Sequence, residues 1–193
     1  MMIALCLGTL HSACGYTLQN SKNPALTKEG IHKIYVEPLV NNTYKAGVEN
    51  TVYNALVKKI SSHEHVKLVR SAEDADAVIK GTVASAEYTS SALTTASQLA
   101  PIGTGPSNIL VASQYNALLT CTFDLYRAKK DGTHGDYLWG SQFSRTKFFP
   151  ANTQLGTLGT TSALINDSEF DRTLSDLAES MMSDVHESML GLF

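Results

Sequence analysis

A long run of alternating apolar and polar side chains constrains this chain more than any other feature of its sequence. Between residues 115 and 125, every second side chain is apolar and most of those between them are polar. Successive side chains of a β-strand point to opposite faces, so this pattern predicts a strand with one face in the core. The apolar set is Tyr115, Ala117, Leu119, Cys121, Phe123 and Leu125, and the other set includes Asn116, Leu118, Thr120, Thr122 and Asp124.

A turn sequence follows this strand and leads into a second alternating run. Residues 130–133 read Lys-Asp-Gly-Thr, and alternation resumes from Tyr137 to Phe149. Two alternating runs joined by a short glycine-containing turn are typical of an antiparallel hairpin.

Shorter elements precede the hairpin. A strand at residues 34–37 ends at Pro38, because proline is not tolerated inside a central strand. Apolar side chains at helical spacing then predict an amphipathic helix from about Lys45 to Ser61. Two further strands are predicted at residues 66–70 and from Asp76 through Tyr88, and Gly81 within the second indicates a bulge or a close backbone approach.

The chain closes with a second amphipathic helix, predicted to begin behind a cap at Asn166 or Asp167. Its apolar stripe is rich in methionine, and its core spacing favours packing over a docking role. The order strand, helix, four strands, helix predicts an α/β two-layer sandwich: a mixed, mostly antiparallel sheet of about five strands with two helices packed on one face. The stripe comprises Phe170, Leu174, Leu177, Ala178, Met181, Val185 and Met189.

Residues 89–108 are rich in Ser, Thr and Ala and contain no charged residue. This composition is typical of a long loop or of a mobile hairpin extension. Gly103 and Gly105 do not form a phosphate-binding fingerprint, since neither a third glycine nor a Lys-Ser/Thr pair follows at the required spacing.

Composition and motifs argue against several function classes. Fifteen Lys and Arg against 18 Asp and Glu give a net charge of −3, which disfavours a nucleic-acid partner. Three cysteines and six histidines show no metal-ligand spacing, so no metal, cofactor or disulfide framework is expected. Without a nucleophile elbow or similar setting, no catalytic residue is predicted and the protein is not expected to be an enzyme. Cys121 is expected to be a buried small hydrophobe.

The first 13 residues resemble a signal peptide that is cleaved before Cys14. The small residues Ser12 and Ala13 before this cysteine are similar to a bacterial lipobox, although His11 stands where leucine is usual and no Lys or Arg precedes the apolar run. We therefore expect a covalent diacylglycerol and an N-linked acyl chain at Cys14, which anchor a protein without spanning the membrane. The alternative is an ordinary cleavage after Ala13 that leaves a free thiol. A linker at residues 14–30 and a domain at residues 31–193 then follow.

Several short motifs, taken in order, resemble the LptE family of lipopolysaccharide-assembly lipoproteins. They are Cys14 to Tyr16, Lys33 to Leu39, Asn41 to Tyr44, the helix from Glu49 to Ile60, and Ala75 to Val83. The resemblance extends over most of the chain after Cys14, except for residues 89–108.

This resemblance implies a lipid-anchored protein on the periplasmic side of the outer membrane. Such a protein plugs the LptD β-barrel, assists its folding, and helps lipopolysaccharide reach the outer leaflet. The alternative is a periplasmic lipoprotein that activates a cell-wall synthase or serves in a secretion assembly, because such proteins share a lipidated cysteine, a linker and a small α/β domain.

Lipopolysaccharide is an anionic amphiphile, so a domain that binds it needs cationic side chains near a rim. The densest cationic group comprises Arg127, Lys129 and Lys130 at the hairpin turn, with Arg145 and Lys147 on the returning strand. We predict that these five residues, with Tyr126 and Trp139 nearby, converge at one end of the sheet as a ligand-binding site. A solvated turn is the alternative.

Overall fold

The alternating run becomes an interior strand of a six-stranded sheet. The computed structural model describes residues 30–62, 66–95, 110–152 and 159–191. The strands are β1 (Lys33–Val36), β2 (Val40–Asn41), β3 (Lys67–Leu68), β4 (Ala77–Thr95), β5 (Leu110–Ala128) and β6 (His134–Pro150); the helices are α1 (Val48–Ser61) and α2 (Gly159–Gly191), with a single 3-10 turn at Ala72–Asp74.

The sheet order is β3-β1-β4-β5-β6, and β2 pairs with β4 beyond the end of β1. The pairs β1–β3, β1–β4 and β2–β4 are parallel, whereas the long pairs β4–β5 and β5–β6 are antiparallel. This is the mixed, mostly antiparallel two-layer arrangement that the sequence predicts. The sixth strand, β2, was not predicted; it forms because the chain returns to β4 after Pro38, at Val40 opposite Thr82.

One apolar core lies between the sheet and both helices. From Ala117 to Leu125, every predicted core residue of β5 is fully buried, which confirms the assignment of its two faces. The whole predicted stripe of α2 is also buried, so the methionines belong to the core rather than to a docking surface. Helix α1 contributes Val48, Val52, Ala55, Leu56 and Ile60.

Gly81 lies where the side chains of two other residues approach the backbone closely, and not at a bulge. A Cβ atom at Gly81 would lie 2.9 Å from Phe123 Cε1 and 3.0 Å from Leu39 Cγ, so the missing side chain leaves room for these two. The nearest register shift between β4 and β5 instead occurs between Val83 and Ser85. A bulge there exchanges the two faces of β4, because the side-chain period of a strand is two.

Several predicted boundaries differ from those observed. Helix α1 begins at Val48 instead of Lys45, because Gly47 adopts a left-handed φ of 83° at its N-cap. The strand predicted at residues 66–70 pairs only at 67–68, where β1 offers it backbone partners. Tertiary pairing, which no local pattern encodes, decides such ends.

Helix α2 begins earlier than predicted, at Gly159, so Asn166 and Asp167 are not its cap. The Asn166 side chain instead accepts a 2.6 Å hydrogen bond from the backbone N–H of Asn152. Asp167 accepts one from the Tyr88 hydroxyl at 3.4 Å. Both side chains therefore hold the helix against the sheet.

The loop predicted at residues 89–108 is wrong at its start. Residues 89–95 continue β4 and pair with residues 110–116 of β5, so the hairpin-extension alternative is correct for this part. The sequence does not reveal this part of the strand, because the Ser, Thr and Ala residues of a two-stranded ribbon need not alternate between apolar and polar. Residues 96–109 lie outside the described residues.

Candidate interaction surfaces

The sheet face opposite the helices is the candidate functional surface, and we call it the open face. On β5 it carries the polar set of the alternating run. Thr120, 8% exposed, lies 3.0 Å from Ser144 between their hydroxyl oxygens, so polar contacts cross from β5 to β6 on this side. The Asn116 side-chain oxygen is buried and has no hydrogen-bond partner, which costs free energy.

A cluster of aromatic and charged side chains lies on the open face near the β5–β6 turn. We call Glu37, Lys80, Tyr126, His134 and Tyr137 the Tyr126 cluster. The Tyr126 ring meets His134 and Tyr137 edge-on at centroid distances of 5.4 and 5.5 Å. Lys80 Nζ lies 5.8 Å from the Tyr126 ring centre, a cation–π contact.

Glu37 connects the cluster to the parallel half of the sheet. Its Oε1 atom lies 2.9 Å from His134 Nε2, and its Oε2 atom lies 4.0 Å from Lys80 Nζ. Glu37 directly follows β1, and its backbone N–H donates to the Ile79 carbonyl. The contact thus ties the hairpin turn to the end of β1.

Tyr137 is an exposed aromatic ring within this group, with 58% of its surface accessible. Its hydroxyl lies 3.5 Å from Asp124 Oδ1. Desolvation, followed by the negative charge of Asp124, raises the pKa of the Tyr137 phenol, so the phenol keeps its proton at neutral pH. The cluster therefore offers an aromatic surface, a cation and hydrogen-bonding hydroxyls.

The structure does not bring the five predicted ligand-binding cations together. Arg127, Lys129 and Lys130 lie at the hairpin turn. Arg145 and Lys147 pair across the sheet with Leu119 and Ala117, 8 and 10 residues before Arg127 along β5. At about 3.3 Å per residue, these separations are about 26 and 33 Å. The predicted convergence is therefore wrong, because the antiparallel strand β6 runs away from the turn and carries Arg145 and Lys147 with it.

Arg145 and Lys147 contact helix α2 instead of a common site. Arg145 forms an ion pair with Asp184, with Nε 2.7 Å from the carboxylate, and Lys147 Nζ lies 2.5 Å from Asp176. Both side chains point to the helix side of β6. Trp139 also lies on that side and is buried in the core. The ligand-binding role of the three turn residues stays a prediction.

Sequence reasoning missed the Tyr126 cluster almost entirely. Of its members, the sequence points only to Tyr126, because Glu37 and His134 are 97 residues apart and no local pattern relates them. Glu37 follows β1, which pairs with β4, and His134 begins β6, which pairs with β5, so their contact spans two intervening strands. No local sequence pattern signals a contact of this kind.

The described residues hold no group of three or more His, Cys, Asp or Glu side chains arranged to bind a metal ion. Cys121 is fully buried, and burial raises the pKa of its thiol to about 12, so it is a packing residue with little thiolate at neutral pH. Among the described helices, none is long and apolar enough to cross a membrane. Cys14 lies outside the described residues, so its lipidation stays a prediction.

Comparison with known families decides what kind of domain this is. A model of the family described as "LptE: Lipopolysaccharide-assembly" matches residues 31–189. The chain belongs to the LptE family. The match begins just before β1 and ends within the last turn of α2. It therefore covers the entire sheet, all of α1 and nearly all of α2. The LptE family is a family of non-enzymatic lipoproteins.

Solved structures share the general arrangement at low identity. Hypothetical protein CT253 from Chlamydia trachomatis is 8% identical, with a TM-score of 0.48 over 82% of this chain and 98% of that one. Rare lipoprotein B from Shewanella oneidensis is 14% identical, with a TM-score of 0.47 over 83% and 96%. These likenesses are too distant to carry a functional argument. A search of curated protein sequences finds no significant match.

Proposed function

We propose that this LptE-family protein is an outer-membrane lipoprotein, anchored through Cys14 on the periplasmic side, that plugs the LptD β-barrel. In this role it assists assembly of the barrel and takes part in lipopolysaccharide transport to the outer leaflet. The observation that carries the proposal is the family match over residues 31–189, which spans nearly the whole described domain.

The open face gives this proposal a physical basis. The lumen of a large outer-membrane barrel is polar, so a protein seated inside it needs a surface of hydrogen-bonding side chains. The open face provides hydroxyl groups from Thr120, Thr122 and Ser144. The apolar core and the two helices cover the other face of the sheet. The open face is therefore the one available to a polar partner.

A pull-down tests the association. Tagged full-length chain is recovered from detergent-solubilised outer membranes, and the co-purified proteins are identified by mass spectrometry. We expect an LptD-type barrel at about one to one, as suits a permanent complex with a large interface. Recovery of a peptidoglycan synthase without the barrel would contradict the proposal and favour the cell-wall alternative.

A matched pair of variants tests the open face. Thr122→Arg places a long cation on this face, where Thr122 is half-buried between Thr82 and Gln142. We expect at least a fivefold lower yield of barrel, because a desolvated unpaired charge costs several kcal/mol. Ser175→Arg, on the exposed side of α2, serves as the control and is expected to keep the parent yield. Equal yields from both variants would place the interface elsewhere.

A further inference from the structure

Strand β6 forms one edge of the sheet and pairs only with β5. Within the described part of the chain, no strand lies beyond it. From Trp139 to Pro150 its pairing with β5 has no register shift, and residues 144–148 are all exposed. A regular, exposed edge of this kind presents unpaired backbone N–H and C=O groups to another strand.

The open edge of β4, by contrast, is protected by bulges. Strands β1 and β2 cover β4 only as far as Val83, so the edge of β4 is open beyond that residue. Its pairing with β5 shifts between Val83 and Ser85 and twice more between Ser90 and Leu93. Bulges bend and twist an edge strand and so hinder the addition of a further strand. The regular part of β6 has no such protection.

One hydrogen bond shows which backbone groups of β6 face outward. The backbone N–H of Ala151 donates to the Ser113 carbonyl at 3.1 Å, and these two residues lie directly opposite each other in the register of β5 and β6. In an antiparallel pair, residues bonded directly across alternate with residues whose N–H and C=O point away from the partner strand. The odd-numbered residues therefore bond to β5. The outward-facing residues are Gly140, Gln142, Ser144, Thr146 and Phe148.

Two further observations support this assignment. Proline has no N–H, so in a sheet it occupies edge positions whose N–H would face away from the neighbouring strand. Pro150 is even-numbered and continues the outward-facing series. Side chains lie closest in pairs without mutual backbone bonds, and the 3.0 Å contact between the Thr120 and Ser144 hydroxyls belongs to such a pair.

The charged side chains of this segment do not shield the edge. The outward-facing residues share the open face with Ser144 and include no charged residue. Arg145 and Lys147 lie on the helix side, where Asp184 and Asp176 form ion pairs with them. Cations that extend past an edge hinder strand addition. Here the ion pairs direct both cations toward α2.

We propose that β6 pairs with β6 of a second copy of this chain, antiparallel and about a two-fold axis at Ser144. Ser144 is the midpoint of the regular segment from Trp139 to Phe149, so this register pairs all eleven residues of the segment. Thr146 then lies opposite Gln142 of the second copy, and every outward-facing N–H and C=O of the segment gains a partner. A two-fold axis requires the same edge of both copies, and this edge is complementary to itself.

Charge favours this register over the next one along the strand. A two-fold axis at Thr146 would place Arg145 opposite Lys147 of the second copy, and like charges directly opposite each other are destabilising. The proposed register instead places both cations opposite uncharged residues, Phe143 and Ser141.

The proposed register also covers two exposed aromatic side chains. Phe148 and Tyr137 are 59% and 58% exposed. Phe148 lies opposite Gly140 of the second copy, and the Tyr137 hydroxyl lies over Gly140, in the space that a Cβ atom would occupy. The Phe148 ring of one copy therefore meets the Tyr137 side chain of the other. Symmetry repeats this contact, so four aromatic side chains lose exposed surface.

A barrel wall does not offer the strand that this edge requires. Every strand of a closed β-barrel is paired on both sides, so the wall has no free backbone groups for β6. A second copy brings the same unpaired edge. The proposal therefore concerns self-association and does not rest on the proposed function.

Cysteine cross-linking tests the partner. The full chain with Cys6→Ser and Cys14→Ser keeps only the buried Cys121. In this background, Ser144→Cys should form a disulfide-linked dimer on oxidation, because Cα atoms of a hydrogen-bonded pair are about 5.5 Å apart, within the range of a disulfide. Ser175→Cys, on the exposed side of α2, is the control and should cross-link at least several-fold less. Equal cross-linking of the two variants would overturn the proposal.

A mixture of two variants tests the register. Gln142→Cys and Thr146→Cys should cross-link with each other when mixed, since these positions lie opposite each other across the proposed interface. Each variant alone should cross-link several-fold less, because its two copies are about 13 Å apart along the strand. Cross-linking of either variant alone that matched the mixture would contradict an axis at Ser144.

A proline substitution tests the role of the edge. Thr146→Pro removes an outward-facing N–H and leaves the β5–β6 bonds intact, so the chain should fold. In sedimentation velocity at about 1–100 μM, the Cys14→Ser parent should show a monomer–dimer equilibrium, and Thr146→Pro should weaken it about tenfold. Circular dichroism melting checks folding. If the proline variant is unfolded, Ser144→Lys replaces it, because it places like charges opposite each other at the axis. A monomeric parent, or a folded variant that dimerises as well as the parent, would overturn the proposal.

The barrel pull-down separates this proposal from the proposed function. Thr146→Pro is expected to retain the parent yield of barrel. If it lost the barrel while the purified parent chain was monomeric, the β6 edge would be a contact with another protein and self-pairing would be wrong. Failure of the parent chain to recover a barrel would contradict only the proposed function.

Discussion

At the residue scale, the packing of the core around Gly81 requires that this residue have no side chain. A Cβ atom there would come within 3.0 Å of both the Phe123 ring and Leu39 Cγ. Phe123 is fully buried in the core cluster, so the ring has little space into which to move. Glycine is needed here for packing, and its backbone shows no positive φ.

Gly81→Ala should therefore lower the free energy of unfolding by about 1–3 kcal/mol, the usual cost of overpacking a filled core. Urea denaturation followed by circular dichroism measures the change. Combining it with Phe123→Leu removes the clash, so the double variant should lose less than the sum of the two single losses. Strictly additive losses would show that Gly81 matters for another reason.

At the scale of elements, the alternating run of β5 places its side chains in two different environments, one on each face of the strand. Leu119 is fully buried against the helices, whereas Thr122 lies on the open face and is half-buried. The ion pairs of Arg145 with Asp184 and Lys147 with Asp176 then connect β6 to α2. These pairs are partly exposed, so each contributes about 1 kcal/mol or less.

Leu119→Asp should abolish cooperative folding, because a buried unpaired carboxylate costs several kcal/mol of a total stability of about 5–15 kcal/mol. Thr122→Asp, on the other face of the same strand, should cost about 1 kcal/mol or less. Thermal melting of both variants provides the measurement. A Leu119→Asp protein that melts like its parent would mean that the two faces of β5 are assigned the wrong way round.

The two ends of the whole molecule differ in chemistry. The end at the β5–β6 turn carries Arg127, Lys129 and Lys130 beside the Tyr126 cluster, whereas the far end of the described β4–β5 hairpin carries the exposed side chains of Leu93 and Leu110. Of the five cations predicted to bind ligand, only these three lie at one end of the sheet. They are the part of the predicted site that an anionic ligand could still contact together.

Replacing Arg127, Lys129 and Lys130 together by serine should weaken lipopolysaccharide binding severalfold at low salt, where charge attraction is least screened. Barrel recovery, measured separately, should not change. Arg145→Ser with Lys147→Ser is the control, since both side chains are already paired with α2 about 26–33 Å away along the sheet. Unchanged lipopolysaccharide binding of the triple variant at low salt would contradict a role for the turn.

The sequence by itself determined the two faces of β5, the antiparallel β5–β6 hairpin and the buried stripe of α2. These features follow from periodicity, because each side chain's position along one element sets the face on which it lies. Short motifs also sufficed to identify the family.

Only the tertiary structure decided the strand order, the bulge between Val83 and Ser85, and the contact of Glu37 with His134. Backbone hydrogen bonds between strands are nearly the same for any sequence, so local patterns do not specify which strands pair or in what register. The separation of the five predicted cations has another reason: in an antiparallel hairpin, Arg145 and Lys147 lie on the returning strand far from the turn.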